Sequence, residues 1–407
     1  MNERKPDHHT GATTEFERDV YKLLLETVRT VAKQERADIG TESLLSALVS
    51  DDWAAGSAIA PGMRKAGSLG GSIGVRGTSV WVSGDTANGI TGTPEDDRDI
   101  DALWREVWHD EVKRRRWKNR KKTEEEQLSL ELPPITGALR ACLHKALDIA
   151  REEGSISVHV RHVARALVDL PDTRAREAMV VEKLGVSAAA TALDELRGND
   201  EVPEPTSVLL LRKTGTFGKS GNPLSRKFFA WIFGGGAGFG SAMIGAVRSE
   251  EQRSAVRRGA AESAPVDVLM AMLALDRSLT VAQRELPENL RAENRGAELL
   301  HRHGARQDTL ARVLLPTTGL ADGAPPEVGS DNEFARRLLH VTELTASAQG
   351  APTVGTTHLL AALLDESGTD AESVAEIERV LTECGADVAA LRAEPELRAP
   401  NGSSRAA

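Results

Sequence analysis

The run LLLRKTGTFGKSGNP, residues 209–223, ends with Gly218, Lys219 and Ser220 in the order a phosphate loop requires. Such a loop, G-x-x-x-x-G-K-[ST], cradles phosphate with backbone N–H groups at the start of a helix. Here Lys213 stands where the first glycine is needed, and Asn222-Pro223 interrupts the helix that should follow. The run reads as a coincidental loop. His109 in HDEVK and His301 and His303 in HRH lack the H-E-x-x-H spacing that sets two imidazoles on one helical face, and they read as solvated positions. There is no G-x-S-x-G. Cys142 falls on the apolar face of an expected helix and Cys384 beside a helix end, which suits small core residues better than nucleophiles. No metal set, cofactor loop or catalytic grouping stands out, so the chain is expected to bind rather than to catalyse.

The elements that would position a binding site are helices. Aromatic residues make up only 3% of the 407 residues, so a core must be assembled from Leu, Val, Ile and Ala, as in closely packed bundles. Lys plus Arg number 51 against 61 for Asp plus Glu, a net charge of −10, which gives no global footprint for nucleic acid. Two distant cysteines exclude a disulfide framework and suit a reducing compartment. The opening MNERKPDHHTGATTEFERD has no apolar stretch of signal-peptide length, so a cytoplasmic location is expected.

One helical sentence recurs four times. In the last copy, Phe334, Leu338, Val341 and Ala348 mark a first helix that stops at Gly350. APTVGTTHLLAALLDE then predicts a second helix capped by Thr356 or Thr357 and apolar at Leu359, Leu360, Leu363 and Leu364. A third stripe, Ile377, Val380 and Leu381, ends at Gly385, and a short helix follows. Residues 135–197 repeat the pattern, with Gly185 in the place of Gly385. Residues 14–67 repeat it again, with Thr41 in the place of Thr356 and Gly67 as the terminal glycine. The most worn copy lies in residues 263–315, with Gly304 as its cap. Such units need a neighbouring copy to cover their apolar faces.

IGTESLLSALV at 39–49, and VGTTHLLAALL at 354–364 with LTECGADVAALR after it, resemble the half-repeat of the Clp R domain. This is the N-terminal domain of Clp-family AAA+ unfoldases of the ClpC and ClpA type. The resemblance implies an all-α fold with two Clp-N-like modules, each a pseudo-two-fold pair of four-helix half-repeats. Module 1 would cover residues 14–200, with halves at 14–67 and 135–197 around an insertion at 68–133. Module 2 would cover residues 250–395. The family's N domain docks adaptors and substrates, and in some members holds phosphorylated arginine through a Thr-Glu pair at a helix start. Thr41 and Glu42 keep that pair, whereas Arg161, Val266 and Thr357 stand at the glutamate position of the other copies. Glu42 also has a plainer reading, as a first-turn carboxylate favoured by the helix dipole. The ATPase loops of the family are missing. The resemblance therefore implies a non-catalytic adaptor or decoy whose partners are Clp ATPase or peptidase components and their client proteins.

Two stretches stand outside the repeats. In the insertion, GVRGTSVWVSGD suggests a small hairpin, and DIDALWREVWHDEVKRRRWKNRKK an amphipathic helix with Ile100, Leu103, Trp104, Val107 and Trp108 on one side. Trp104, Trp108, Arg115, Arg116 and Trp117 are candidates for partner docking; the alternative is that the tryptophans fasten the helix to its module. Between the modules, residues 201–249 read as a linker, with an apolar glycine-rich segment at 228–247. Its length meets that of a bilayer core, so a membrane-associated scaffold is the rival reading. Residues 396–407 are expected to be a disordered tail.

Overall fold

The computed structural model describes residues 12–51, 53–76, 81–86, 92–119, 132–198, 204–218, 241–316, 333–365 and 369–398. Among these lie nineteen α-helices and two strands of two residues each, so the fold is all-α. The described residues divide into two compact units, one within residues 14–198 and the other built from residues 12–13, 204–316 and 333–398.

The N-terminal unit runs β1 (Glu15–Phe16), α1 (Arg18–Lys33), α2 (Thr41–Ser50), α3 (Ala54–Ile59), α4 (Met63–Arg76) and α5 (Pro94–Asn119). It continues with α6 (Gly137–Glu152), β2 (Ser157–Val158), α7 (Val160–Asp169), α8 (Arg174–Val181) and α9 (Val186–Glu195). Val20, Leu23, Leu24, Val28 and Val31 of α1 recur every three or four residues and are fully buried, against Leu44, Leu45 and Leu48 of α2 and Leu139, Leu143 and Leu147 of α6 in one core. Ala146, Ala150, Ala164 and Ala166 let the backbones approach closely.

Two backbone exchanges lace the α1–α4 stretch of this unit to the α6–α9 stretch. The stretch before α1 pairs in parallel with the stretch before α7, Glu15 opposite Ser157 and Phe16 opposite Val158. In return, Ile39, before α2, forms a parallel bridge with Ile135, before α6. The Ile39 N–H donates to the Pro134 carbonyl at 2.8 Å and the Thr136 N–H to the Ile39 carbonyl at 3.0 Å. One exchange joins the lead-in of α1 to that of α7, the other the lead-in of α2 to that of α6.

The first half differs from its expected ending. Gly67 lies inside α4, which carries Leu69 and Ile73 into the core, so the insertion starts after Arg76 rather than at 68. The expected hairpin is absent from the described residues: 74–76 close α4, 81–86 contain no strand, and 77–80 lie outside the description.

The C-terminal unit holds α10 (Thr206–Thr214), α11 (Ala242–Arg258), α12 (Pro265–Val281), α13 (Glu288–Arg291), α14 (Gly296–Arg302) and α15 (Gln307–Leu314). α16 (Glu333–Ala348), α17 (Thr356–Leu363), α18 (Ala371–Glu383), α19 (Val388–Arg392) and a 3-10 turn at Pro395–Leu397 complete it. The stretch 201–249 is more than a linker. Val208 and Leu211 of α10 and Met243, Ile244, Ala246 and Val247 of α11 are buried in this unit's core. The last six residues of the apolar segment 228–247 therefore belong to a core helix, and residues 228–240 lie outside the description. No helix among the described residues is long and apolar enough to cross a membrane. The expected tail is ordered at its start, where Glu396 of the 3-10 turn pairs with Arg295 at 2.6 Å; residues 399–407 lie outside the description.

The predicted helix stops divide. Gly350, Gly304 and Gly385 take the left-handed conformation, at φ +66°, +91° and +82°. After α8 that conformation belongs to Lys183, at φ +54°, and Gly185 has an ordinary φ of −76° as the N-cap of α9. The Leu184 N–H donates to the Met179 carbonyl as the Ala386 N–H does to that of Leu381, so Lys183 is the residue matching Gly385.

Candidate functional site

Thr41 and Glu42 do come together at the start of α2, but the cap of that helix is Gly40 and Thr41 is its first helical residue. The Thr41 hydroxyl serves a different helix: it accepts from the Ala175 N–H in the first turn of α8, at 3.1 Å. The C-terminal unit repeats this arrangement. Thr356 follows the N-cap Gly355, and its hydroxyl accepts from the Gly296 N–H at the start of α14, at 3.1 Å. In both units this threonine satisfies an orphan donor at the start of a helix distant in sequence, 134 and 60 residues away.

Asp85, from the insertion, completes the corner in the N-terminal unit. Its carboxylate accepts from the Thr41 N–H at 2.8 Å, the Thr41 hydroxyl at 2.5 Å and the Thr136 hydroxyl at 2.7 Å. The Arg174 N–H adds a fourth bond at 3.1 Å. Thr136 is the N-cap of α6 and Arg174 the first residue of α8, so three helix N-termini meet at one carboxylate. Asp85 is buried, its backbone is left-handed at φ +53°, and its carbonyl accepts from the Ala138 N–H at 3.0 Å.

Glu42 is sealed from solvent beside it. Its Oε1 accepts from Arg36 Nη1 at 3.0 Å and from the Ser43 hydroxyl at 3.1 Å. Its Oε2 lies 3.8 Å from Arg174 Nη1 and has no hydrogen-bond partner. Burial pushes the Glu42 carboxyl above the usual carboxylate range, against the pull of a backbone hydrogen bond and of Arg174. Arg174 forks onto Asp38 at 2.7 and 3.0 Å, while Arg36 reaches the Ile73 carbonyl of α4 at 2.9 Å. Glu42 thus ties α2 to α4, α8 and the turn after α1. In this conformation neither Thr41 nor Glu42 offers an atom to a ligand arriving from solvent.

The glutamate position behaves differently in the other copies. Arg161 pairs with Glu153 at 3.1 Å, Val266 is core, and the Thr357 hydroxyl accepts from the Arg295 N–H at 2.9 Å. One residue further on, the same three copies share a device. His162 Nδ1, Asp267 Oδ2 and His358 Nδ1 reach back to the N–H of His159, Ala264 and Gly355, at 2.8, 2.8 and 3.1 Å.

The docking candidates on α5 separate by depth. Trp104 is fully buried with Ile100, Leu103 and Val107, and Trp108 packs half-buried against the same core, so these two fasten the helix to its unit. Arg115 turns back onto Glu111 at 2.8 Å, together with Arg114 and Arg29. Glu111 is buried, which raises its pKa, yet the Arg114 and Arg115 guanidiniums hold it below the usual range. Arg116 is half-buried, and Trp117 is 65% exposed at the helix end. Cys142 and Cys384 are both buried, and burial pushes each thiol upward, away from the thiolate a nucleophile needs. Of the phosphate-loop residues, Gly218 is described, while Lys219 and Ser220 lie outside the description.

Sequence reasoning missed Asp85, Arg36 and Arg174. Asp85 sits in a short Ser-Gly-Asp stretch without periodicity, and its partners lie more than forty residues away on either side. Comparison with protein-family models, with curated proteins and with solved structures returned no match.

Proposed function

We propose that the chain is a non-catalytic binding protein built from two units of the Clp N-domain kind, acting as an adaptor or decoy in Clp-dependent proteolysis. The observation that carries this reading is the shared role of Thr41 and Thr356. In each unit the threonine of the Gly-Thr start satisfies the first turn of a helix from the opposite half, at the same 3.1 Å. Two half-repeats facing each other about a pseudo-two-fold axis would produce that reciprocity, as would the paired exchanges of Glu15–Phe16 with Ser157–Val158 and of Ile39 with Ile135. Such a unit presents helical surfaces and no chemistry. With no ATPase loop recognised in these 407 residues, the chain would act by occupying or delivering what a Clp N domain contacts.

The test is capture from native cytoplasm with the tagged full chain, followed by mass spectrometry. Enrichment of Clp ATPase or peptidase subunits over a tag-only control supports the reading, and their absence at physiological salt counts against it. ATP turnover or casein cleavage by the protein alone, persisting through further purification, would overturn the non-catalytic part. Lys219→Ala then asks whether the Gly218-Lys219-Ser220 run is responsible.

A further inference from the structure

We propose that Trp81–Thr86 is a latch: a strap of the insertion that closes the Thr41–Glu42 corner by placing Asp85 in a cradle suited to a carboxylate. The cradle is made by three separate helix starts, and every donor in it is neutral: the Thr41 and Arg174 N–H groups and the Thr41 and Thr136 hydroxyls. Neutral donors at positive helix ends select an anion without fixing its source. The occupant is supplied by a short segment whose one fully buried side chain is Asp85; Trp81 packs part-buried against the core, and the Ser83 hydroxyl donates to the Asp172 carbonyl at 2.5 Å. Val82 is 93% exposed, and Trp81 lies only partly buried beneath the Arg76 guanidinium, 5.2 Å from its ring centroid. The Val82 and Ser83 N–H groups rest on Glu177 at 2.9 and 3.3 Å. Asp85 is therefore the most deeply buried anchor of a strap otherwise held by one part-buried ring and surface hydrogen bonds.

The C-terminal unit provides the contrast. There the Thr356 N–H donates to the Asn294 side-chain oxygen at 3.0 Å, two residues before the α14 start that Thr356 itself serves. A neutral amide from the adjoining turn fills the position, its own N–H held on the Leu290 carbonyl at 2.8 Å. In the N-terminal unit the position is filled by a charged group from a distant segment, next to a Glu42 oxygen that is buried and unpartnered. Opening the strap would uncover that corner. The latch needs no motor partner and so stands apart from the Clp reading.

Chemical rescue tests it. Asp85→Ala should melt below the parent protein, and acetate in the millimolar range should restore part of the loss saturably. Acetate should do little for the parent or for Leu360→Ala, which is destabilised in the other unit. Unchanged melting in Asp85→Ala, or equal acetate effects on all three proteins, would overturn the proposal. Should Asp85→Ala fail to fold, Asp85→Asn gives the second measurement, since it keeps one acceptor oxygen but sets an amide N–H against donors. Limited proteolysis of this variant should cut within residues 81–86 at least several-fold faster than in the parent, with the helices equally protected. Parent-like protection of that stretch would show that Asp85 does not hold the strap.

Discussion

Glu42 and Arg36 form an ion pair at 3.0 Å with both side chains closed to solvent. A buried pair is weak evidence of net stabilisation, but removing one partner strands the other in a low-dielectric interior and costs about 3–5 kcal/mol. Arg36→Ala should therefore be severely destabilising. Glu42→Gln, which keeps the shape and the Arg36 and Ser43 contacts, should cost clearly less. Thermal and urea melts of the two variants measure this. If Glu42→Ala instead left melting unchanged while abolishing partner capture, Glu42 would be a ligand group after all, and the closed corner would not be its working state.

Gly355 approaches the chain before α14 so closely that a Cβ there would stand 2.1 Å from the Glu293 carbonyl oxygen. That oxygen is backbone, and it already accepts the Thr357 N–H at 3.0 Å, so it cannot swing aside. Gly355→Ala should destabilise the C-terminal unit by about 1–3 kcal/mol through overpacking. Gly40→Ala meets the Glu42 carboxylate at 2.2 Å and Arg174 at 2.9 Å, both side-chain ends, so it should cost less unless the buried pair is broken. Equal melting temperatures for Gly355→Ala and the parent would contradict this packing.

The apolar stripes of these helices were legible because period 3.6 is a property of local sequence, and the Gly-Thr starts because the glycine is sterically required where chains cross. What each threonine does was not legible: a hydroxyl at a helix start predicts a cap on its own helix, and only tertiary structure brings Ala175 or Gly296 within its reach. Lys183 was missed for a related reason. A left-handed stop favours glycine by roughly 1 kcal/mol, and tertiary packing around Leu184 overrides a preference of that size. Residues 206–214 and 242–247 looked like linker because the glycines near them dilute the pattern. The burial of Val208, Leu211, Ile244 and Val247 could not be read without their partners in α12.

His162 gives the N-terminal unit a pH dependence whose sign can be worked out. Its Nδ1 accepts the His159 N–H, and burial, helped by Arg161, lowers its pKa from 6.5 to about 4. Glu153 and His159 also face it; Glu153 opposes the shift and His159 adds to it. Above pH 6.5 the ring is neutral in both folded and unfolded chains and nothing changes. Between pH 6.5 and 4 the unfolded chain takes up a proton that the folded one refuses, so stability falls, on the order of 3 kcal/mol across the window. Below pH 4 the loss is complete. His162→Asn, whose amide oxygen can replace Nδ1 as acceptor, should flatten that part of the stability–pH curve. An unaltered curve would assign the dependence to other groups.

Trp104 and Trp117 lie on one helix at opposite depths, and the two substitutions should separate structure from docking. Trp104 is fully buried in the N-terminal core, so Trp104→Ala should cost about 3–5 kcal/mol through lost burial and the cavity left behind. Trp117 is 65% exposed, so Trp117→Ala should change stability by no more than about 0.5 kcal/mol. Trp104 and Trp108 are committed to the core and Arg115 to Glu111, whereas Trp117 is 65% exposed and Arg116 half-buried, so these last two are the docking candidates nearest the surface. Capture of partners from native extract should then fall several-fold for the pair Arg116→Ala and Trp117→Ala at unchanged melting temperature. A large drop in melting for Trp117→Ala would make it a structural residue. Unchanged capture by the double variant would remove α5 from the docking surface and leave the helical faces of the two units to supply it.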